Sequence, residues 1–132
     1  MSGEINLNAL LKTLKAKLVE GTYVFVTINA ADVPEDIYPR MRFNEAEGLT
    51  LIVLKSEAEV HNLAYEFPSR MITLDVHSSL EAVGFMAVIA TELAKENMGV
   101  NPVSGFYHDH IFVPEGREED ALKVLERIAR DA

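Results

Sequence analysis

Residues 71–84 read MITLDVHSSLEAVG, and this stretch decides which class of fold the chain can adopt. Met71–Val76 is rich in apolar and β-branched residues, which predicts a strand. Ser78 and Glu81 then stand three positions apart, the spacing of a capping box, which predicts that a helix begins near Leu80. A strand that passes through a polar turn directly into a helix indicates a mixed α and β domain.

The predicted helix runs from Leu80 to Asn97, with Gly99 as its end signal, and it is apolar on two sides. When residues are placed about 100° apart, Phe85 and Val88 fall opposite the face expected to meet the core. An apolar outer face is usually covered. Either the first helix of this chain or a second subunit could cover it, and the pattern leaves both open. The expected core face consists of Ala82, Val83, Met86, Ala90 and Leu93.

Local patterns predict the other elements as well. Leucines at helical spacing predict a first helix over 7–18, capped by Asn6 or Asn8 and ended by Gly21. Ser56 and Glu59 form a second capping box, so a short helix is expected to begin there. The remaining predicted elements are a strand over 22–28, a loop over 29–39, a hairpin of 40–44 with 49–54, a hairpin of 100–105 with 110–113, and a last helix over 117–130.

The two halves of the chain echo each other, because in both a hairpin is followed by a capped helix. They differ in that Leu80–Asn97 supplies a helix where Ala30–Pro39 supplies a loop. This repeat predicts two domains, residues 1–68 and 69–132. The expected fold class is α+β, with two halves whose antiparallel sheets carry helices on one face.

Composition narrows the class of protein. The net charge of −9 disfavours nucleic acid as a partner, because a phosphate backbone would be repelled. The chain has no cysteine, which excludes disulfides and thiolate metal ligands. No apolar stretch reaches the roughly 18 residues of a membrane span, and the N-terminus lacks the pattern of a signal peptide. We therefore expect a cytoplasmic protein that binds neither nucleic acid nor membrane.

The turn into the predicted helix is the first candidate for a binding site. Backbone N–H groups at a helix N-terminus attract an anion such as a ligand carboxylate. Ser78 and Ser79 add hydroxyls there, His77 adds an imidazole, and Gly84 would permit a ligand to approach the backbone. Taken alone, Ser78 is more often a plain helix cap than a ligand contact, and His77 is more often a histidine at the end of a strand.

The histidines raise the question of a metal site. His108 and His110 are two residues apart and would share one face of a strand, where His77 or Asp109 could join them. No zinc-binding motif of the helical type is present, and we expect neither a metal nor a cofactor. We also expect no catalytic residues, because Asp75, His77 and Ser78 are too close in sequence to converge as a triad.

Two stretches, 72–84 and 103–114 (VSGFYHDHIFVP), resemble the small stand-alone tandem ACT-domain proteins, a group mostly without assigned function. In ACT domains an effector amino acid binds where the first strand opens into the first helix, against a neighbouring ACT unit. The missing helix of the first half also resembles the rearranged ACT pairs of aspartokinase regulatory regions. Many ACT domains have a glycine in this loop where the chain has Ser78 and Ser79. The resemblance implies that both halves have the ferredoxin-like fold of ACT domains. By position, it places His77, Ser78, Ser79, Leu80 and Glu81 in this loop and Asn101 at the polar position that starts the next strand. With Gly84, which would let a ligand approach the backbone, and with Tyr107 or His110 meeting polar groups, these residues form the predicted ligand site.

The resulting hypothesis is a regulatory protein that binds an amino acid or a similar small metabolite and has no catalytic activity. The expected partners are this ligand and a second copy of the chain in a homodimer. Two other functions stay open at this point. One is a protein–protein interaction module that docks through the apolar helix 80–97, and the other is a small metal-dependent enzyme.

Overall fold

The computed structural model describes residues 6–132 of the protein. Its contacts divide the chain into two compact units. The first unit is Glu20–Ser69, and the second consists of residues 6–19 together with Arg70–Ala132. In chain order the elements are α1 (Leu7–Thr13), β1 (Ala16–Leu18), β2 (Tyr23–Ile28), a 3-10 turn (Ala30–Asp32), β3 (Met41–Glu45), β4 (Gly48–Leu54), α2 (Lys55–Val60), β5 (Glu66–Leu74), α3 (Phe85–Ala94), β6 (Asn101–Ser104), β7 (Asp109–Pro114) and α4 (Glu118–Asp131).

The first unit is an antiparallel sheet of β3, β4, β2 and the start of β5, in that order. β2 pairs with β4 over its whole length, from Tyr23 opposite Leu54 to Ile28 opposite Leu49. β3 pairs with the other side of β4, which confirms the first predicted hairpin. The core beneath this sheet consists of Val24, Val26, Ile37, Leu49, Leu51, Val53 and Ala58.

The second unit sets three helices against a sheet of β1, the end of β5, β7 and β6. β6 and β7 form the second predicted hairpin, with Ser104 opposite Asp109 next to its turn. Alternate strand residues, among them Leu74 and Ile111, share one core with α1, α3 and α4. Since the side chains of a strand alternate between its two faces, the helices cover one face of this sheet. The α+β fold with antiparallel strands is confirmed.

Helix α4 follows the sequence prediction closely. Its first turn carries three acidic residues and its last turn Arg130, as the helix dipole favours. One stripe of the helix enters the core of the second unit, while the rest faces solvent. The buried positions are Ala121, Val124, Leu125 and Ile128.

The first helix is shorter than predicted. α1 begins after Asn6, whose side chain accepts a hydrogen bond from the Ala9 N–H at 2.9 Å, but it ends at Thr13 rather than near residue 18. Residues 16–18 form β1 instead and pair antiparallel with 72–74. Pairing with a buried strand provides hydrogen-bond partners for the backbone groups of these residues and stabilises them more than a longer isolated helix would. Gly21 therefore does not end a helix and lies in the turn before β2.

The predicted helix 80–97 begins late and ends early, at Phe85 and Ala94. The residue before it, Gly84, has φ +90° and ψ −11°, a left-handed conformation that interrupts any helix coming from Leu80. The predicted capping box does not form, because the Glu81 N–H donates to Ser79 Oγ at 3.1 Å. The box predicted at Ser56 and Glu59 is also absent, although α2 begins one residue earlier, at Lys55.

The predicted outward position of Phe85 is wrong. Its ring is 3% exposed and belongs to the same core as Leu10 and Leu14 of the N-terminal segment. Because the helix begins at Phe85, Val83 lies outside it and is 84% exposed instead of facing the core. Of the two ways to cover this helix, the intrachain one is therefore what the fold uses.

The two predicted domains, residues 1–68 and 69–132, stay a prediction about where one repeat ends and the next begins. The two compact units divide the chain differently, since residues 6–19 group with Arg70–Ala132. Within residues 6–132, no helix has the length and apolar character needed to cross a bilayer.

Replacing Gly84 by alanine is expected to lower the free energy of unfolding by about 1–2 kcal/mol, because a Cβ is strained in the left-handed region. Urea denaturation would measure the change. Gly99→Ala is the matched control, since Gly99 lacks a positive φ and a Cβ there would meet nothing within 4 Å. Equal effects of the two substitutions would contradict this account of the helix start.

Candidate ligand-binding cleft

A small cleft lies between the loop that follows β5 and the β6–β7 hairpin, and we call it the loop cleft. Its volume is about 120 Å³, well below the roughly 300–1,000 Å³ of sites for drug-sized ligands. It therefore suits a ligand of few heavy atoms. The lining residues are Ser78, Ser79, Leu80, Ala82, Phe85, Met86, Ser104, Gly105 and Asp109.

The loop owes its shape to local hydrogen bonds. The Ser78 N–H donates to the Val76 carbonyl at 3.0 Å, and the Ala82 N–H donates to the Ser79 carbonyl at 3.0 Å. These tight turns replace the predicted first turns of helix and direct both serines inward. Ser78 is 8% exposed and Ser79 is 5% exposed, so two hydroxyl side chains are buried beside the cleft.

Asp109 lies at the centre of the polar contacts in the loop cleft. Ser78 Oγ donates to its Oδ2 at 3.1 Å, and Ser104 Oγ donates to its Oδ1 at 2.6 Å. Ile111, two residues further along β7, belongs to the helix-covered core, so strand alternation places Asp109 on that same face. His110 falls on the opposite face, where its Nδ1 lies 3.0 Å from Thr73 Oγ1.

The N-terminus of α3 borders the same cleft through Phe85 and Met86. The first backbone bond of this helix runs from the Val88 N–H to the Gly84 carbonyl at 3.1 Å, so residues 85–87 precede the hydrogen-bond ladder. Helix N-termini carry partial positive charge. The cleft thus combines an apolar floor, hydroxyls, a positive helix end and one carboxylate.

The structure brings only part of the predicted site together. Ser78, Ser79 and Leu80 line the loop cleft, as the resemblance implied. Glu81 is exposed and contributes its backbone N–H to Ser79, while Gly84 ends the loop before α3. The assignment of these residues to ligand binding stays a prediction.

The other predicted residues lie outside the lining of the cleft. Asn101 is exposed at the far end of β6, opposite Phe112. His77 packs near Tyr107, with their ring centroids 5.7 Å apart, and Tyr107 itself is 65% exposed. Together with His110 on the opposite face, these residues do not surround the small space that Ser78 and Ser79 border.

Sequence reasoning missed the contribution of the hairpin, namely Ser104, Gly105 and Asp109. It considered Asp109 only as a metal ligand beside the histidines. The register of the hairpin is the signal that could have predicted the contact of Ser104 with Asp109, because a turn over 105–108 places these two residues opposite each other.

The histidines form a loose row. The ring centroids of His77 and His108 are 6.5 Å apart, and those of His108 and His110 are 6.3 Å apart. His108 Nε2 lies 3.4 Å from Asp75 Oδ1, whose other oxygen is 3.7 Å from Lys17 Nζ. Within residues 6–132, no group of three or more histidine, aspartate or glutamate side chains is arranged to hold a metal ion.

Two larger concavities lie in the first unit. One, of about 440 Å³, is bordered by residues 27–30 and 44–49, and the other, of about 400 Å³, by Phe25, Thr50, Tyr65 and neighbouring residues. The polar side chains that line the larger one, Asn29 and Glu47 among them, are exposed. A ligand in that concavity would contact side chains that stay exposed to water, whereas a ligand in the loop cleft would contact buried serine hydroxyls. We therefore favour the loop cleft as the candidate site.

Comparisons with known proteins agree with this fold. ACT-domain family models match residues 2–70 and 66–127. A Vibrio cholerae protein of unknown function, described as a possible transport protein, has a crystal structure similar to this one, with 39% identity and a TM-score of 0.84, covering 93% of this chain and 95% of that one. A search of the curated proteins found no significant match.

More distant solved structures share the fold alone. An Agrobacterium tumefaciens protein is 16% identical, with a TM-score of 0.74, covering 88% of this chain and 89% of its own. The ligand-free regulatory subunit of aspartate kinase from Thermus thermophilus is 12% identical, with a TM-score of 0.66, covering 89% of this chain and 97% of that one. With both halves matched by family models, the chain belongs to the ACT-domain family and carries two ACT domains in tandem.

Proposed function

We propose that this protein reversibly binds a small amino acid in the loop cleft and that this binding is regulatory rather than catalytic. The observation that carries the proposal is the pair of buried serines, Ser78 and Ser79, beside the N-terminus of α3. The membership of the chain in the ACT-domain family supports a regulatory, ligand-binding role.

The chemistry of the cleft suits a carboxylate. The Ser78 hydroxyl already donates to Asp109, so the Ser79 hydroxyl and the positive N-terminal end of α3 are the groups that stabilise a negative charge here without a full counter-charge. Phe85 and Met86 supply an apolar floor for a short side chain. The volume of about 120 Å³ favours glycine, alanine or serine over leucine or phenylalanine.

Docking of a partner protein through an outward Phe85 loses its basis, because that ring is buried in the core of its own unit. The homodimer, the cytoplasmic location and the absence of catalysis stay predictions. Sedimentation of the wild-type protein over a range of concentrations is the measurement that addresses the first of them.

A thermal-shift screen of the twenty amino acids tests the proposed function. A ligand present at 100 times its dissociation constant is expected to add about 2.7 kcal/mol to the free energy of unfolding. We expect the small amino acids to raise the melting temperature, and large aliphatic and aromatic ones to have little effect. If none of the twenty raises it and calorimetry detects no binding heat, the proposal is wrong.

Two serine variants locate the binding. Ser79→Ala removes a hydroxyl from the loop cleft and is expected to weaken the best amino acid by about tenfold, the value of one hydrogen bond to a charged group. Ser69→Ala is the matched control. Ser69 is also buried, but its hydroxyl donates to the Tyr23 carbonyl at 3.0 Å in the first unit. Equal loss of affinity in both variants would place the site elsewhere.

A further inference from the structure

We propose that the loop cleft selects ligands carrying a positively charged amino group, and that Asp109 is the residue that receives this group. The inference rests on the proposed function and extends it, because it names the charge that the ligand must bring. It separates amino acids from the hydroxy acids of the same shape.

The first argument is the position of the carboxylate. Asp109 lines the cleft together with Ser78 and Ser104, whose hydroxyls hold it from two sides. These bonds fix both oxygens before any ligand arrives, so a bound amino group would meet an oriented acceptor. Each carboxylate oxygen has lone pairs for a second hydrogen bond, and the two serines use only one on each oxygen.

The second argument is charge. Over residues 6–132, none of the ion pairs includes Asp109, whereas Asp75 Oδ2 lies 3.7 Å from the Lys17 ammonium nitrogen. The carboxylate therefore faces the cleft with neutral hydroxyl partners and no counter-charge. An ammonium group would supply that counter-charge through charge-assisted hydrogen bonds.

The third argument is that the cleft presents both signs of charge. The N-terminus of α3 and the Ser79 hydroxyl favour a carboxylate, and Asp109 favours an ammonium group. A zwitterion can satisfy both ends. A hydroxy acid carries only the negative charge. Its hydroxyl could donate one neutral hydrogen bond to Asp109 but would supply no positive charge.

Isothermal titration calorimetry with three matched ligand pairs tests the inference. The pairs are glycine and glycolate, L-alanine and L-lactate, and L-serine and L-glycerate. Within each pair, the amino acid has an ammonium group where the hydroxy acid has a hydroxyl group. The wild-type protein is expected to bind the best amino acid at least about tenfold more tightly than its hydroxy acid, as one charged hydrogen bond requires.

Asp109→Asn provides the second arm. The amide keeps the shape and one oxygen acceptor but removes the negative charge. This variant is expected to lose at least about tenfold in affinity for the amino acid and to change the affinity for the hydroxy acid less than threefold. Glu45→Gln is the matched control, because Glu45 accepts a hydrogen bond from Thr50 Oγ1 in the other hairpin, away from the loop cleft.

The outcomes separate the two proposals. If a hydroxy acid binds as tightly as its amino acid, or if a folded Asp109→Asn keeps its amino-acid affinity, the inference is overturned while the proposed function stands. If the wild-type protein binds neither member of any pair, both are overturned. Should Asp109→Asn fail to fold, as judged by circular dichroism, the wild-type comparison within each pair decides the matter alone.

Discussion

Replacing Phe85 by alanine is expected to lower the free energy of unfolding by about 3–5 kcal/mol, the largest effect predicted for this protein. The ring is 3% exposed and shares its core with Leu10 of α1 and Ile89 of α3. Truncation removes buried apolar surface and leaves a cavity that packed helices fill only partly. Urea denaturation followed by circular dichroism measures the loss.

Val83→Ala is the matched control, since Val83 lies two residues away and is 84% exposed. We expect it to change stability by no more than about 0.5 kcal/mol. Sedimentation velocity of Phe85→Ala tests the alternative that the sequence left open. A change in mass without a loss of stability would mean that Phe85 meets a second subunit, and it would contradict the packing described here.

Replacing Glu118 by glutamine is expected to lower stability at neutral pH by about 1–3 kcal/mol. Glu118 Oε2 lies 2.9 Å from an Arg70 guanidinium nitrogen, and its Oε1 accepts the Gly116 N–H at 2.7 Å. Both charged side chains are mostly buried. Over residues 6–132, the Nε of Arg70 is a buried N–H without a partner, so the loss of the carboxylate charge would leave this guanidinium poorly compensated.

The same contact predicts a pH dependence. Hydrogen bonds from its own backbone N–H and from Gly116 hold the pKa of Glu118 below its ordinary value, and Arg70 lowers it further, although partial burial opposes them. Because the folded pKa lies below the unfolded value of about 4.3, the stabilisation is fully present above that value. It is lost as the pH falls through the lower, folded pKa.

Urea titrations at several pH values measure this. The stability difference between wild type and Glu118→Gln is expected to be constant at neutral pH and to shrink in acid. Glu119→Gln is the control, because Glu119 is exposed in the same first turn of α4. This substitution removes the same negative charge from the N-terminus of the helix without breaking the contact with Arg70. A difference that persists unchanged below the folded pKa would contradict the role assigned to the ionised carboxylate.

Much of the fold could be predicted from local patterns. Both hairpins and α4 form where their periodicity and turn residues indicate, because these signals depend on neighbours within a few positions. Among the predictions that failed are those for residues 14–18 and 80–84. In the first stretch, pairing of 16–18 with 72–74 overrides a helical pattern. In the second, the positive φ of Gly84 delays the start of the helix. A glycine permits this backbone conformation, but its presence in the sequence does not predict it.

The candidate site divides in the same way. Ser78, Ser79 and Leu80 could be proposed from sequence because they follow a strand in the order that the family resemblance implies. Asp109 could not be placed beside them, since its bond to Ser78 joins residues 31 positions apart. Predicting it requires both the register of β6 with β7 and the path of the loop after β5.

The sequence by itself determined the class of fold, the two repeated hairpins, the absence of disulfides and the segment from which half of the candidate cleft is built. These follow from composition and from periodicity, which act over single elements of secondary structure. Only the tertiary structure decided that residues 6–19 join the second unit, that Phe85 faces inward and that Asp109 lines the cleft. The physical reason is that strand pairing and core burial depend on which distant segments meet, and local propensity is too weak to choose among them.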